Sequence, residues 1–214
     1  MDRSRLGVVT GLQAEARWLK QAGFMVRAGG GTPEGAKLAA QFLVKQGAEA
    51  LLSFGLAGGL QPGLRPGTVL VPSCVITQTA TYACDQGLMA FLGGMSPTPL
   101  LAGQHIAATV AEKTALYQQH GAAAIDLESG AVAEVAAQSA LPFAVLRAVT
   151  DPADRPLPPA ALIALKEDGS LDIIRLLCAI LRQPGQIPGL LKIGQDAKAA
   201  RRSLLERLKA ISGK

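Results

Sequence analysis

Aromatic residues and cysteines are scarce in this 214-residue sequence, which has one tryptophan, two tyrosines, five phenylalanines and three cysteines. The cysteines, Cys74, Cys84 and Cys178, form no CxxC pair, so we expect reduced thiols in a cytoplasmic protein rather than a disulfide framework. No signal peptide follows the charged residues 2–5. The apolar stretch at 171–193 contains charged residues and prolines, which excludes a simple transmembrane helix of about 20 apolar residues.

Basic residues are unevenly distributed along the chain. Residues 192–214 hold seven basic and two acidic side chains, a net charge of +5 that equals the net charge of the whole chain. A nucleic-acid enzyme would carry basic residues around its working face, so we expect no nucleic-acid partner. A basic helical region at about 187–214 suits either a solvated surface or a peripheral contact with an anionic membrane, at the inner face of the cell membrane.

Short apolar segments that suit buried strands alternate with helical segments over most of the chain. With 49% hydrophobic residues, the sequence can form a large core. This alternation predicts an α/β fold with a mixed, largely parallel central sheet and helices on both faces, in a single domain over residues 1–214. Strands are predicted at about 6–10, 24–28, 50–54, 68–71, 74–81, 122–126 and 142–149, with one or two short strands within 100–107. Helices are predicted at about 12–22, 33–46, 112–120, 129–139, 159–166, 170–182 and 187–211.

Three carboxylates follow predicted strands, where such sheets place their ligand sites. Glu15 lies one turn into the first helix, Glu128 joins a strand to a very apolar helix, and Asp151 follows the last clear strand. Each residue alone also suits an ordinary role: a solvated first-turn acid for Glu15, a helix-dipole partner for Glu128, and a turn residue for Asp151. Together they mark this edge of the sheet as a candidate site.

The segment Gly55-Leu56-Ala57-Gly58-Gly59 is predicted to be a loop with little side-chain bulk. Such a loop suits either close approach to a sugar or phosphate, or simply a tight turn. It is not a P-loop, because no Gly-Lys-Ser/Thr follows. No metal site is expected, because the two histidines, His105 and His120, have no helical partner.

Four segments occur in the order and spacing of a known family. They are Gly7-Val8-Val9-Thr10-Gly11-Leu12-Gln13-Ala14-Glu15, Phe54-Gly55-Leu56-Ala57-Gly58-Gly59-Leu60, Ala124-Ile125-Asp126-Leu127-Glu128-Ser129 and Phe143-Ala144-Val145-Leu146-Arg147-Ala148-Val149-Thr150-Asp151. In this set the sequence resembles the superfamily of purine nucleoside phosphorylases and methylthioadenosine/S-adenosylhomocysteine nucleosidases. The interval of 23 residues from Glu128 to Asp151 also matches the family.

The resemblance implies roles for the carboxylates in breaking an N-glycosidic bond. Asp151 matches the aspartate that protonates N7 of the purine as general acid. Glu128 matches the glutamate that grips the ribose hydroxyls and stabilises the oxocarbenium-like charge, and Leu127 replaces a methionine that packs under the sugar. Glu15 matches the glutamate that activates water in the nucleosidases.

The resemblance also assigns the base edge and the site of the attacking nucleophile. The adenine edge is expected to be read by backbone groups of His105, Ile106 and Ala107. Phosphate or water is expected beside Gly55, Leu56, Ala57 and Gly58. Leu56 stands where phosphorylases have a serine, and Ser53 or Leu52 stands where some of them have an arginine. This departure favours hydrolysis slightly, with inorganic phosphate kept as an alternative co-substrate and no cofactor or metal expected.

Further segments, at 103–113, 151–160 and 182–188, are similar to one branch of the family, the hopanoid-associated phosphorylases. The branch implies release of adenine from adenosylhopane, so a lipid-linked nucleoside is the expected substrate and a homo-oligomer the expected assembly. The alternative within the class is a methylthioadenosine/S-adenosylhomocysteine nucleosidase. A non-catalytic nucleoside-binding protein is the alternative from another class, and retention of all three carboxylates argues against it.

Overall fold

In the computed structural model, residues 2–159 and 184–212 are described. Nine strands in this part of the chain form one sheet, in the order β2-β1-β3-β8-β7-β5-β6, and β9 pairs with both β3 and β4. The strands are β1 (Leu6–Thr10), β2 (Met25–Ala28), β3 (Ala50–Gly59), β4 (Val69–Leu70), β5 (Cys74–Ile76), β6 (Thr81–Ala83), β7 (Leu100–Ala102), β8 (Ala124–Asp126) and β9 (Phe143–Asp151).

Most strand pairs are parallel, as the alternation of strands and helices predicts. β1 is parallel to β2 and to β3, β3 to β9, and β7 to β5 and to β8, whereas β3–β8, β4–β9 and β5–β6 are antiparallel. The sheet is flanked by helices, which confirms the predicted fold class. The helices are α1 (Gln13–Gln21), α2 (Pro33–Lys45), α3 (Gln86–Phe91), α4 (Val110–His120), α5 (Ser129–Gln138) and α6 (Ile187–Ser212), with short 3₁₀ turns at Arg3–Arg5 and Pro184–Gln186.

Local sequence signals explain where several helices begin. The side chain of Thr32 accepts a hydrogen bond from the Gly35 amide, with Pro33 at the first position of α2. Thr109 caps α4 through the amide of Glu112 in the same way. The β1 strand, which precedes α1, is buried along its whole length, so α1 begins close to the core.

The core lies between the sheet and the helices and is built mainly from leucine, valine and alanine side chains. α6 packs on β9, and its Ala200, Leu204, Leu208 and Ile211 join this core. One face of the basic C-terminal segment is therefore buried in the protein. No described helix has an apolar stretch long enough to cross a membrane.

The structure corrects three local predictions. The glycine segment at 55–59 is not a loop, because β3 continues through Gly59 while pairing with β9 and then with β8. The strand predicted at 74–81 is two short antiparallel strands, β5 and β6. The unpredicted helix α3 follows, with its cap supplied by Asp85. Of the helix predicted at 159–166 only residue 159 is described, and the helix predicted at 170–182, with Cys178, lies outside the described residues.

Candidate active site

A cavity of about 570 Å³ lies where β1, β3, β8 and β9 end. This volume suits a small-molecule ligand, since such sites range over about 300–1,000 Å³. The cavity lies at the carboxyl ends of parallel strands, the position expected from the fold. The lining residues are 11, 12, 15, 31, 32, 56–58, 105–107, 125–128, 147, 150, 151, 157, 193, 197 and 201.

Arg147 on β9 is the buried cation at the centre of the site, with 1% of its surface exposed. Its Nε lies 2.6 Å from Oδ2 of Asp126 and forms an ion pair with it, but this contact does not have the geometry of a hydrogen bond. Its Nη1 donates to Oε2 of Glu128 at 3.1 Å, and its Nη2 donates to Oγ of Ser53 at 2.7 Å. The carboxylates raise the pKa of Arg147 above its usual value although burial alone would lower it, so the side chain is charged.

Two features of the chain accommodate this arginine and hold its partners in place. Gly55 has no side chain, and a Cβ there would lie 2.5 Å from Nη1 of Arg147. Oδ1 of Asp126 accepts hydrogen bonds from the amides of Glu128 and Ser129 at 3.3 and 3.1 Å. These amides lie at the start of α5, so Asp126 fixes the backbone that carries Glu128. The same carboxylate also neutralises the charge of Arg147.

Glu128 lines the cavity beside Arg147. The side chain is buried, and its Oε1 has no hydrogen-bond partner among the described residues. Burial raises the pKa of Glu128 from 4.5 to about 7; Arg147 opposes this shift, whereas Asp126 and Glu15 add to it. Gly11 allows the close approach, because a Cβ there would be 3.0 Å from Oε1. The free oxygen is thus available to a hydroxyl of a bound ligand.

Glu15 is a buried carboxylate on the floor of the cavity, with 1% of its surface exposed, and not a solvated residue of a helix surface. Its Oε2 accepts a short hydrogen bond from the hydroxyl of Thr10, while its Oε1 has no partner in the described part of the chain. Burial raises the pKa of Glu15, against the opposing effects of Thr10, Arg147 and Arg201. A carboxylate with a raised pKa accepts a proton more readily than an exposed one, as a general base must.

Asp151 occupies the end of β9. Its Oδ1 accepts a hydrogen bond from the Thr150 hydroxyl at 2.7 Å, and its Oδ2 accepts one from Nζ of Lys113 at 2.6 Å. β9 pairs with β3 up to this point, where Gly58 lies opposite Asp151. This pairing places the carboxyl group at the rim of the sheet and in the wall of the cavity.

The segment at 105–107, which is predicted to face the base, is fixed by hydrogen bonds to α4. Glu112 accepts hydrogen bonds from the amide of Ala108 at 2.9 Å and lies 2.8 Å from Nε2 of His105. The side chain of His105 is 76% exposed to solvent. The amide of Leu157 donates to the Ala108 carbonyl at 2.8 Å, which joins this segment to the chain that follows β9.

The structure brings the residues predicted from sequence to one cavity, with a single exception. Gly55 lies behind the wall beside Arg147 and does not line the cavity. The predicted residues that do line it are Glu15, Leu56, Ala57, Gly58, His105, Ile106, Ala107, Leu127, Glu128 and Asp151.

Sequence reasoning missed three cations around these residues. Arg147 interrupts the apolar run from Phe143 to Val149 in β9, and a charge within such a run was the signal that could have found it. Arg201 on α6 reaches the cavity, and Lys113 on α4 contacts Asp151. Neither has a signal in the sequence, because each depends on how a helix packs against the sheet.

The chain is similar to known proteins over most of its length. The sequence profile of the Phosphorylase superfamily matches residues 17–100 and 85–182. No curated protein is similar enough in sequence to match. Solved structures share the fold at low identity.

Three of these structures are nucleosidases or hydrolases of nucleosides. The methylthioadenosine/S-adenosylhomocysteine nucleosidase of Helicobacter pylori has a TM-score of 0.72 at 14% identity, over 99% of this chain and 98% of that one. The corresponding enzyme of Colwellia psychrerythraea, in complex with adenine, has a TM-score of 0.64 at 18% identity, over 81% and 94%. Futalosine hydrolase of H. pylori has a TM-score of 0.61 at 16% identity, over 67% and 88%. With more than half of its residues matched by the family profile, this chain belongs to the phosphorylase superfamily.

Proposed function

We propose that this protein cleaves the N-glycosidic bond of an adenine nucleoside. The observation that carries the proposal is the meeting of Glu15, Glu128 and Asp151 in one cavity, each from the end of a different strand. Glycosyl cleavage needs a proton for the leaving group, stabilisation of positive charge on the sugar, and a nucleophile. Three carboxylates that line one cavity can divide these tasks. The similar solved structures, one of which contains adenine, support the choice of base.

Asp151 and Glu128 act on the two sides of the bond. Asp151 donates a proton to N7 of the purine, so that the base leaves as a neutral molecule. Glu128 accepts hydrogen bonds from the ribose hydroxyls through its unpartnered Oε1 and stabilises the positive charge that develops on the sugar. Arg147 keeps the Glu128 carboxylate in place through its 3.1 Å hydrogen bond.

The raised pKa of Glu128 predicts a specific pH dependence. Only the ionised carboxylate stabilises the oxocarbenium charge, and the pKa is raised to about 7. Activity is therefore lost as pH falls through this value, and kcat/KM should fall about tenfold per pH unit below it. Glu128→Gln should lower kcat/KM and lose this limb of the profile. Glu134→Gln, on the same helix but half-exposed, should keep it; a limb unchanged in Glu128→Gln would contradict the assignment.

Water activated by Glu15 is the nucleophile that the site favours. The carboxylate is buried, and its Oε1 is free to accept a proton from a bound water molecule. Burial raises its pKa, which makes the carboxylate a stronger base than an exposed glutamate.

One observation favours phosphate as a second candidate. Arg201 lines the cavity beside Glu15, and its Nε is buried without a hydrogen-bond partner among the described residues. Thr32 and Gly31 line the same cavity, so backbone amides and a hydroxyl are close by. Some phosphorylases have an arginine near the glycine segment, at the position of Ser53 or Leu52. Arg201 of α6 can replace that arginine as the cation that binds an anion.

Replacing Glu15 separates the two nucleophiles. If water attacks, Glu15→Gln should lower kcat for adenine release by about 100-fold or more, because the base is lost while the shape is kept. Activity of the wild-type protein should then be the same with and without inorganic phosphate. Arg201→Met should change this activity little. Release that requires phosphate and falls in Arg201→Met would instead identify phosphorolysis.

We propose that the substrate is adenosylhopane, whose 5′ substituent is a hopane. Methylthioadenosine and S-adenosylhomocysteine are the alternatives that the structural neighbours favour. Ile193 and Ala197 of α6 supply an apolar wall of the cavity. Ile187 and Leu191 of the same helix are exposed, and together with its basic residues they support contact with an anionic membrane. Vesicle-bound adenosylhopane should show a higher kcat/KM than methylthioadenosine, and the protein should sediment with anionic vesicles at low salt. The reverse preference without sedimentation would favour the alternative.

A further inference from the structure

Lys113 is a fully buried lysine, with 0% of its surface exposed. It is the one buried residue of α4, whose other side chains are partly or fully accessible. Lysine is almost never fully buried unless it is paired. Its partner is Asp151, the proposed acid, at 2.6 Å.

All three protons of the ammonium group have an acceptor. Nζ donates to Oδ2 of Asp151 at 2.6 Å, to the carbonyl of Pro152 at 2.9 Å and to the carbonyl of Arg155 at 3.0 Å. An ammonium group has three donors and no acceptor, so this set is complete. Lys113 does not line the cavity, and therefore acts on a ligand only through Asp151.

The contact distinguishes the two oxygens of the Asp151 carboxyl group. Oδ2 receives the ammonium hydrogen bond, whereas Oδ1 faces the Thr150 hydroxyl at 2.7 Å. That hydroxyl also lies 3.2 Å from the carbonyl of Ala57, to which it can donate instead. A proton on the carboxyl group therefore resides on Oδ1, because the positive charge of Lys113 disfavours a proton on Oδ2, and the Thr150 hydroxyl can then donate to Ala57.

The same lysine holds the turn that follows β9. Its hydrogen bonds to the carbonyls of Pro152 and Arg155 fix this turn on α4, and the side chain of Arg155 forms an ion pair with Asp196 of α6. The preceding residue of α4, Glu112, holds the segment that faces the base. Two consecutive residues of α4 thus fix both walls beside the base.

We propose that Lys113 is a positioning residue for Asp151, which keeps the acidic proton on Oδ1 and directs it to the base; this rests on the proposed function. The proton passes from Oδ1 to N7 of the purine. The bond between C1′ and N9 breaks and its electron pair remains on the base, so adenine leaves neutral, while water adds to C1′ and gives its proton to Glu15. The Asp151 carboxylate left behind is stabilised by the ammonium at 2.6 Å, and a proton from solvent restores the acid.

The leaving group distinguishes this role from a purely structural one. Lys113→Met should lower kcat for adenine release from 5′-methylthioadenosine by about 100-fold, with a smaller effect on KM. With 4-nitrophenyl 5-methylthioriboside, whose nitrophenolate leaves without a proton, the loss should be under about threefold. In the Asp151→Asn background, Lys113→Met should have no further effect on adenine release, because the two residues act as a unit.

Two further variants keep the test decisive. Lys37→Met, which removes a half-exposed lysine from its contact with Glu134, should leave both reactions unchanged. Lys113→Gln, which keeps two N–H donors without the charge, carries the test if the methionine variant does not fold by circular dichroism. Equal losses with both substrates, or a further loss in the Asp151→Asn background, would overturn the proposal. Absence of adenine release by the wild-type protein would instead count against the proposed function.

Discussion

Arg147→Met is expected to lower the free energy of unfolding by about 3–5 kcal/mol, the usual cost of removing one partner from a buried ionic cluster. Arg147 is 1% exposed and lies against Asp126 and Glu128. Without it, two buried carboxylates would face each other without a cation, and Ser53 would lose its strongest donor. Urea unfolding monitored by circular dichroism measures the change.

The same substitution should remove activity even where the protein remains folded, because Glu128 would lose the donor that orients it. Arg202→Met is the matched control, since Arg202 is an exposed arginine that pairs with Glu206 on the surface of α6. This control should change the free energy of unfolding by less than about 1 kcal/mol. A stable, active Arg147→Met protein would contradict the central role of this arginine.

Asp151→Asn is expected to lower kcat for adenine release by about 100-fold to 10,000-fold, the range typical of a lost general acid. Asparagine keeps the size of the side chain and can still accept from Lys113, so the site should remain folded. It cannot transfer a proton to N7, whereas substrate binding should change less. Steady-state kinetics that resolve kcat from KM test this expectation.

The matched control is Asp154→Asn, which changes an exposed aspartate three residues further along the same turn. It should behave as the wild-type protein does. Retention of kcat within about threefold in Asp151→Asn would mean that another group protonates the base. Equal losses in the two variants would point to a general effect on the turn.

Much of the fold can be predicted from the sequence because its signals are local. The apolar segments that become β1 and β9 and the Thr32 cap of α2 lie within a few residues of the structure they specify. The end of a parallel strand then predicts where Glu15 and Asp151 lie, because such ends meet at one edge of the sheet. Fold class and candidate carboxylates follow from these features together.

The remaining features depend on contacts between residues distant in sequence. The segment at 55–59 has the composition of a loop, yet pairing with β9 and β8 extends it as a strand. Lys113 resembles an ordinary surface lysine until α4 packs beside the end of β9. Arg201 reaches the cavity only because α6 folds back across the sheet. Such placements arise from tertiary packing, which no local pattern records.

Release of adenine from 5′-methylthioadenosine by the purified full-length protein, followed by chromatography, tests the central claim most directly. We expect free adenine to accumulate with turnover, and Glu128→Gln and Asp151→Asn to lose most of this activity while remaining folded. Supplying adenosylhopane and inorganic phosphate in parallel covers the proposed lipid substrate and the second nucleophile. A folded wild-type protein that releases adenine under none of these conditions would contradict the proposed cleavage of an adenine nucleoside.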